Sequence, residues 1–359
     1  MKNNPYLLRA LYIILVPMVL LIILLNSGWL QRFIPAASVN GESLSVVRYN
    51  YYYYDYQTTF LHAHADELDE LGYDPDRKAD KQDYDSSMTW KEFFQQGAEA
   101  AMAETAYYLD LAEQAGYTFS EEELAPVAAR VAENAAQGTA SGISTKNYYI
   151  AYFGPGMTEK LYTEELTRVV KAQAYKQHLI EQYTPTQGEL TVEIAARAEL
   201  DYTALQLRVI TLDALPDRAS GETGPSQLAA LQAKLDALVE RYENGVSFDE
   251  LQSSFSTCAI GDNAGNVTAT RAANLPRILE EHYIDAQQIP GSDWSAPFAC
   301  VDKEAGRAYF VLLAGTAGSG PELDAKAVLS AEAIEAQQAS QLSSYLPQRN
   351  GFGMLLAAS

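Results

Sequence analysis

Residues Tyr49 to Phe60 read YNYYYYDYQTTF, seven aromatic side chains in twelve positions. Val46, Tyr49, Tyr53, Tyr56 and Phe60 recur at spacings of three and four, so on a helix they share one face. Val47, Tyr51, Tyr54 and Leu61 form the adjoining strip. A strand would set aromatic residues on both of its faces, whereas the helix places Asn50, Asp55 and Gln57 more sensibly. Ser45 supplies an N-cap. The stretch therefore predicts a helix with a broad aromatic face, which serves either as core or as a surface for other polypeptides.

Upstream, SVNGESLS (Ser38 to Ser45) predicts a short extended piece with an Asn-Gly turn. Downstream, Asp66 to Ser87 is a charged, exposed connection. Thr89 and Glu92 form a capping box for a helix that runs to about Ala115 and stops at Gly116. Ser120 opens another, ending near Gly138. Thr158 opens a long one reaching about Tyr183, before Pro185. Residues 38–183 thus predict an all-helical lobe. From Tyr202 the pattern changes. ALQLRVITLDA predicts a strand, and Ser226 to about Asn244 a helix. Ser247 caps a short helix, and a Gly-rich turn follows. Leu275 to Ala286 is helical and GRAYFVLLAG is a strand. The order β-α-α-turn-α-β defines an α+β unit. A helix from Leu323 to Leu346 is too apolar to stand alone and is expected to pack back on the chain.

Lys2 and Arg9 precede the uncharged run ALYIILVPMVLLIILL, Ala10 to Leu25. Extended to Leu30, it spans about 30 Å as a helix, enough for a bilayer core. A cleaved signal peptide is the competing reading, with Pro35 to Ser38 as a weak cleavage site; run length favours an uncleaved anchor. The flanking cations place the N-terminus in the cytoplasm and the remainder outside the cell membrane. The net charge of −22 excludes a nucleic-acid surface and argues against anionic lipid headgroups. Cys258 and Cys300 lie in the outer part, where a disulfide is permitted but not dictated.

The stretch ENGVSFDELQSSFSTC, Glu243 to Cys258, resembles the parvulin family of peptidyl-prolyl isomerases. There a Gly followed by Phe-x-x-Leu and Phe/Tyr-Ser-x-Cys/Asp joins two helices to the active-site turn. Gly265 resembles a remnant of the family's Gly-Gly-Asp-Leu-Gly turn. IPGSDWSAPF, Ile289 to Phe298, is similar to its Gly-x-x-Ser-x-Pro-Val segment. The order of parts resembles SurA-like and PrsA-like extracytoplasmic foldases over nearly the whole chain. It implies residues 1–37 as cytoplasmic tip and anchor, 38–200 as a chaperone-like helical lobe, 201–316 as the parvulin-like domain, and 317–359 as a helix returning to the lobe.

The resemblance also implies site residues. Cys258 stands at the pocket Cys/Asp position. Arg208 and Tyr309 stand where the family carries two buried His residues. Leu275 and Leu279 fall near the Met and Phe that wall the proline pocket. Arg208 departs most, because a guanidinium cannot become a neutral donor-acceptor as imidazole does. In the lobe, Tyr49, Tyr53, Tyr56 and Phe60 would line a groove for unfolded or extended polypeptide clients, since tyrosine offers apolar area and a hydroxyl at small entropic cost. No cofactor is implied. A non-catalytic adaptor tethered to the membrane and binding one folded partner is the alternative. His62 and His64, two apart, point in different directions on a helix and suit no shared metal.

Overall fold

The computed structural model describes residues 28–65, 67–196, 201–214, 224–255, 266–273 and 275–358. The apolar run 10–25, Cys258 and Gly265 lie outside these. Among the described residues, no helix is long and apolar enough to cross a membrane. The protein is a mixed α+β chain in two units: Met1–Glu181 together with Ile334–Ser359, and Gln182–Ala333 between them.

The first unit opens on a hairpin, β1 (Pro35–Val39) and β2 (Glu42–Ser45). Asn40 and Gly41 turn it with φ of 47° and 81°, the left-handed pair that an Asn-Gly hairpin turn requires. Ser45 then accepts the Arg48 N–H and starts α1 (Val46–Ala63). Thr89 and Glu92 close a reciprocal capping box on α2 (Trp90–Gln114), and Ser120 and Glu123 another on α3 (Glu121–Ala140). α4 (Thr145–Phe153) and α5 (Glu159–Gln182) complete the helices before the excursion into the second unit. The chain returns as β7 (Gln348–Arg349), which pairs antiparallel with β1, and ends in α11 (Gly351–Leu356). The sheet order is β2-β1-β7. The all-helical expectation for the lobe is therefore corrected. Its first and last segments share a small sheet, because the hairpin leaves the outer edge of β1 unpaired and the returning chain fills it.

The second unit begins with α6 (Gln187–Ala196) and centres on a four-stranded antiparallel sheet. Its strands are β3 (Thr203–Asp213), β4 (Asn266–Ala269), β5 (Phe298–Asp302) and β6 (Arg307–Ser319), in the order β4-β3-β6-β5. β3 is buried almost throughout, which explains its run of apolar residues. α7 (Pro225–Glu243) and α8 (Phe248–Phe255) cover one face, where Ile210, Leu212 and Phe310 meet Leu235 and Leu251. α9 (Arg277–Tyr283) covers the other, where Leu207, Val209 and Val311 meet Leu279 and Tyr283. α10 (Gly320–Gln341) leaves the sheet, and Tyr202 donates to Asp324 near its start.

Candidate functional site

The tyrosine stretch divides along α1. Tyr49, Tyr51, Tyr52 and Tyr53 are buried. The Tyr49 hydroxyl donates to Glu99 on α2 at 3.0 Å, and Glu99 accepts two bonds from the Arg349 guanidinium at 2.6 and 3.0 Å. Burial first, then the neighbouring carboxylate, pushes the Tyr49 phenol well above its ordinary range. Tyr49 and Tyr53 are thus core and not groove-lining, buried in the ring cluster that α1 builds with α2, α4 and α5.

The second half differs. Tyr56 and Phe60 are half-buried and stand beside Phe93, with centroids 6.2 and 5.1 Å from its ring. Phe93 in turn stacks on Tyr84 at 4.3 Å and 16°, and Tyr84 is exposed. Phe60 also stacks on His64 at 4.2 Å. Gly97 makes this possible: a Cβ there would lie 2.1 Å from the Tyr56 ring, so only glycine lets that ring lie flat on α2. The result is a strip of rings at the surface, contributed by α1, α2 and the segment before α2. Phe93 and Tyr84 were invisible to the periodicity of α1, since they belong to other segments.

In the second unit Arg208 and Tyr309, which the sequence resemblance set at the two His positions, point to opposite faces of the sheet. Arg208 lies with Ile210 on the α8 side. Its guanidinium sits 4.4 Å over the Phe248 ring and pairs with Asp249. Tyr309 lies on the α9 side, buried among Leu279, Tyr283 and Val311. Alternation along strands forces the split: Arg208 pairs across the sheet with Leu312, whereas Tyr309 pairs with Thr211. The two therefore share no pocket. Leu275 and Leu279 are buried in the Tyr309 face, and Cys258 is outside the described residues.

Tyr309 instead has neighbours that the motifs did not single out. Thr211 on β3 and Cys300 on β5 flank it across the sheet. The His282 ring stacks on Phe298 at 3.7 Å and 12° beside Tyr283. Thr211 Oγ1 and His282 Nε2 are buried with no hydrogen-bond partner among the described residues. Burial lowers the His282 pKa, with Asp293 pulling the other way, so the ring is neutral at pH 7. Burial and then Asp302 push the Cys300 thiol up to about 11, which leaves it protonated and a poor nucleophile. The spacing of three from Leu279 to His282 was the available signal for His282.

No protein-family model matches the chain, and no curated protein matches it. Among solved structures it is similar to PrsA from Bacillus subtilis, at 12% identity over 72% of this chain and 86% of that one, with a TM-score of 0.34. It is also similar to the peptidylprolyl isomerase PrsA from Bacillus anthracis (12%, 69% and 93%, TM-score 0.23). The foldase protein PrsA from Lactococcus lactis is a third such structure (14%, 89% and 96%, TM-score 0.27).

Proposed function

We propose that this chain is a membrane-anchored, extracytoplasmic protein-folding factor that holds unfolded or extended polypeptides. The observation that carries the proposal is the surface strip of Tyr56, Phe60, Phe93 and Tyr84. It offers fixed rings to passing apolar segments without itself closing into core. The motifs quoted above support the setting. Phe248-x-x-Leu251 falls on α8, and the Ile289–Phe298 segment leads directly into β5. Domains follow as a lobe built from residues 38–181 with 334–359, and a parvulin-like unit between them. Residues 10–30 anchor the chain in the cell membrane. Binding needs no cofactor.

The parvulin-like unit serves binding in this reading and not turnover, because Arg208 and Tyr309 face apart. An active isomerase with an altered pocket is the second reading. It draws on the Tyr309 face, where Thr211 and His282 bring unpaired polar atoms into apolar surroundings of the kind that organise a pocket.

The test uses the full chain in lipid nanodiscs. Light scattering of a denatured, aggregating client is followed beside chymotrypsin-coupled turnover of proline peptides. Suppressed aggregation without turnover is the expected result. Tyr56→Ala with Phe60→Ala should weaken suppression while leaving the far-ultraviolet circular dichroism intact. Turnover lost in Tyr309→Phe or His282→Gln would establish the isomerase. A folded chain that does neither leaves the adaptor.

A further inference from the structure

The first unit carries an exposed apolar patch far from the aromatic strip in sequence. Phe33 is 68% exposed and Trp29 52%, their rings edge to face at 5.2 Å. On α11, Phe352 and Leu355 are 63% and 77% exposed. Three positions apart, they share a face of that helix. Gly353 is buried between them: a Cβ there would fall 2.0 Å from the Pro35 carbonyl oxygen. The backbone of α11 therefore lies directly on Pro35 and Ala36, two residues from Phe33. Residues 28–37 and 345–358 contain no Asp or Glu, in a chain with 47 of them. Each stretch has a single Arg, exposed Arg32 and the Glu99-paired Arg349.

The neighbouring sequence says what covers this patch. The apolar run ends at Leu25, four residues before Trp29 and eight before Phe33. Fully extended chain reaches about 14 Å over four residues and about 29 Å over eight. If that run spans a bilayer, the patch cannot leave the neighbourhood of its surface. We propose that Trp29, Phe33, Phe352 and Leu355 rest in the headgroup–acyl boundary of the outer leaflet. The first unit then lies on the membrane instead of hanging from a tether. Tryptophan at the interface and an apolar face on a short surface helix fit that boundary. The attraction is apolar, since the net charge of −22 disfavours anionic headgroups. The inference rests on the reading of residues 10–30 as the anchor, whose outer end puts Trp29 at the boundary, and its test separates the two.

An environment-sensitive fluorophore is placed by Leu355→Cys, and in a second chain by Gln114→Cys, both with Cys258→Ser and Cys300→Ser. Gln114 ends α2, whose 25 residues extend about 37 Å from the end where Lys91 meets Ala357. Each full-length chain is added to phosphatidylcholine vesicles carrying acyl-brominated lipid. Several-fold stronger quenching at 355 than at 114 is expected, and Phe33→Glu with Phe352→Glu should abolish the difference. Equal quenching at both positions overturns the proposal, and so does a blue shift at 355 that needs only higher protein concentration, which means a second copy covers the patch. Should the double variant misfold, the contrast between 355 and 114 in the chain without it still decides. Alkaline carbonate extraction reports separately on the span. An extractable chain removes the span and leaves quenching to judge the patch.

Discussion

The two units of this chain are held by different kinds of core. The first is packed from rings: Tyr49, Tyr51, Trp90, Phe94 and Tyr149 are among its most deeply buried side chains. The second is packed mainly from aliphatic residues on both sides of one sheet, with Leu235 and Leu251 on one face and Leu207, Val209 and Leu279 on the other. Rings fill volume with few rotatable bonds but bring polar ends that must be matched, as Tyr49 is by Glu99. Aliphatic residues bring no such debt and close tightly. A ring-built core can therefore continue outward into a partly open surface strip, from Phe94 to Phe93 to Tyr84, while the aliphatic core ends where it is covered.

That contrast can be broken in four places. Trp90→Ala should have the largest effect, a loss of about 3–5 kcal/mol read from urea unfolding, because every ring around it contacts the vacated site. A loss under about 1 kcal/mol would show that the ring cluster re-collapses and that its packing is not specific. Leu279→Ala should cost about 2–5 kcal/mol in the second unit. Native-state hydrogen exchange would assign that loss to β3 and β6 and not to the helices of the first unit.

Tyr49→Phe keeps the ring and removes the hydroxyl, so about 1 kcal/mol is expected. The same loss repeated in a Glu99→Gln background would disconnect Tyr49 from the Arg349 pair and undo the polar half of the comparison. The smallest effect is on pH dependence. His282 has a folded pKa below its unfolded value near 6.5, so folding favours the neutral ring. Its stabilising contribution is present above that unfolded value and is lost as pH falls through the folded one. Denaturant midpoints of His282→Gln and the parent should converge on acidification below pH 6.5; parallel curves would mean the ring titrates alike in the folded and unfolded chain.

Capping and period made much of this fold legible. Ser45, Thr89, Ser120 and Ser247 each start a helix where their side chains accept backbone N–H groups. What escaped was short or edge structure. β4 has four residues, and β5 is an edge strand of only five, so neither shows a period of two long enough to detect. α4 has nine residues with rings on several sides, and β7 has two. At the candidate site, sequence spacing grouped Tyr49 and Tyr53 with Tyr56 and Phe60. Only the tertiary packing around α1 separates the buried pair from the half-buried one. Likewise, motif alignment placed Arg208 and Tyr309 together, and only the register of β3 against β6 reveals that they face apart.

The pairing of β1 with β7 has a consequence for how the protein is made. Ala37 is joined to Arg349 across more than three hundred positions of chain, and Ala358 donates to the buried Asn50. A ribosome delivers residue 37 more than three hundred residues before residue 349. The intervening unit, 182–333, is contiguous and has all its strands in hand before residue 349 is made. The lobe that begins before this unit must wait with an open sheet edge until residues 348–349 appear, so order of birth and order of completion are reversed.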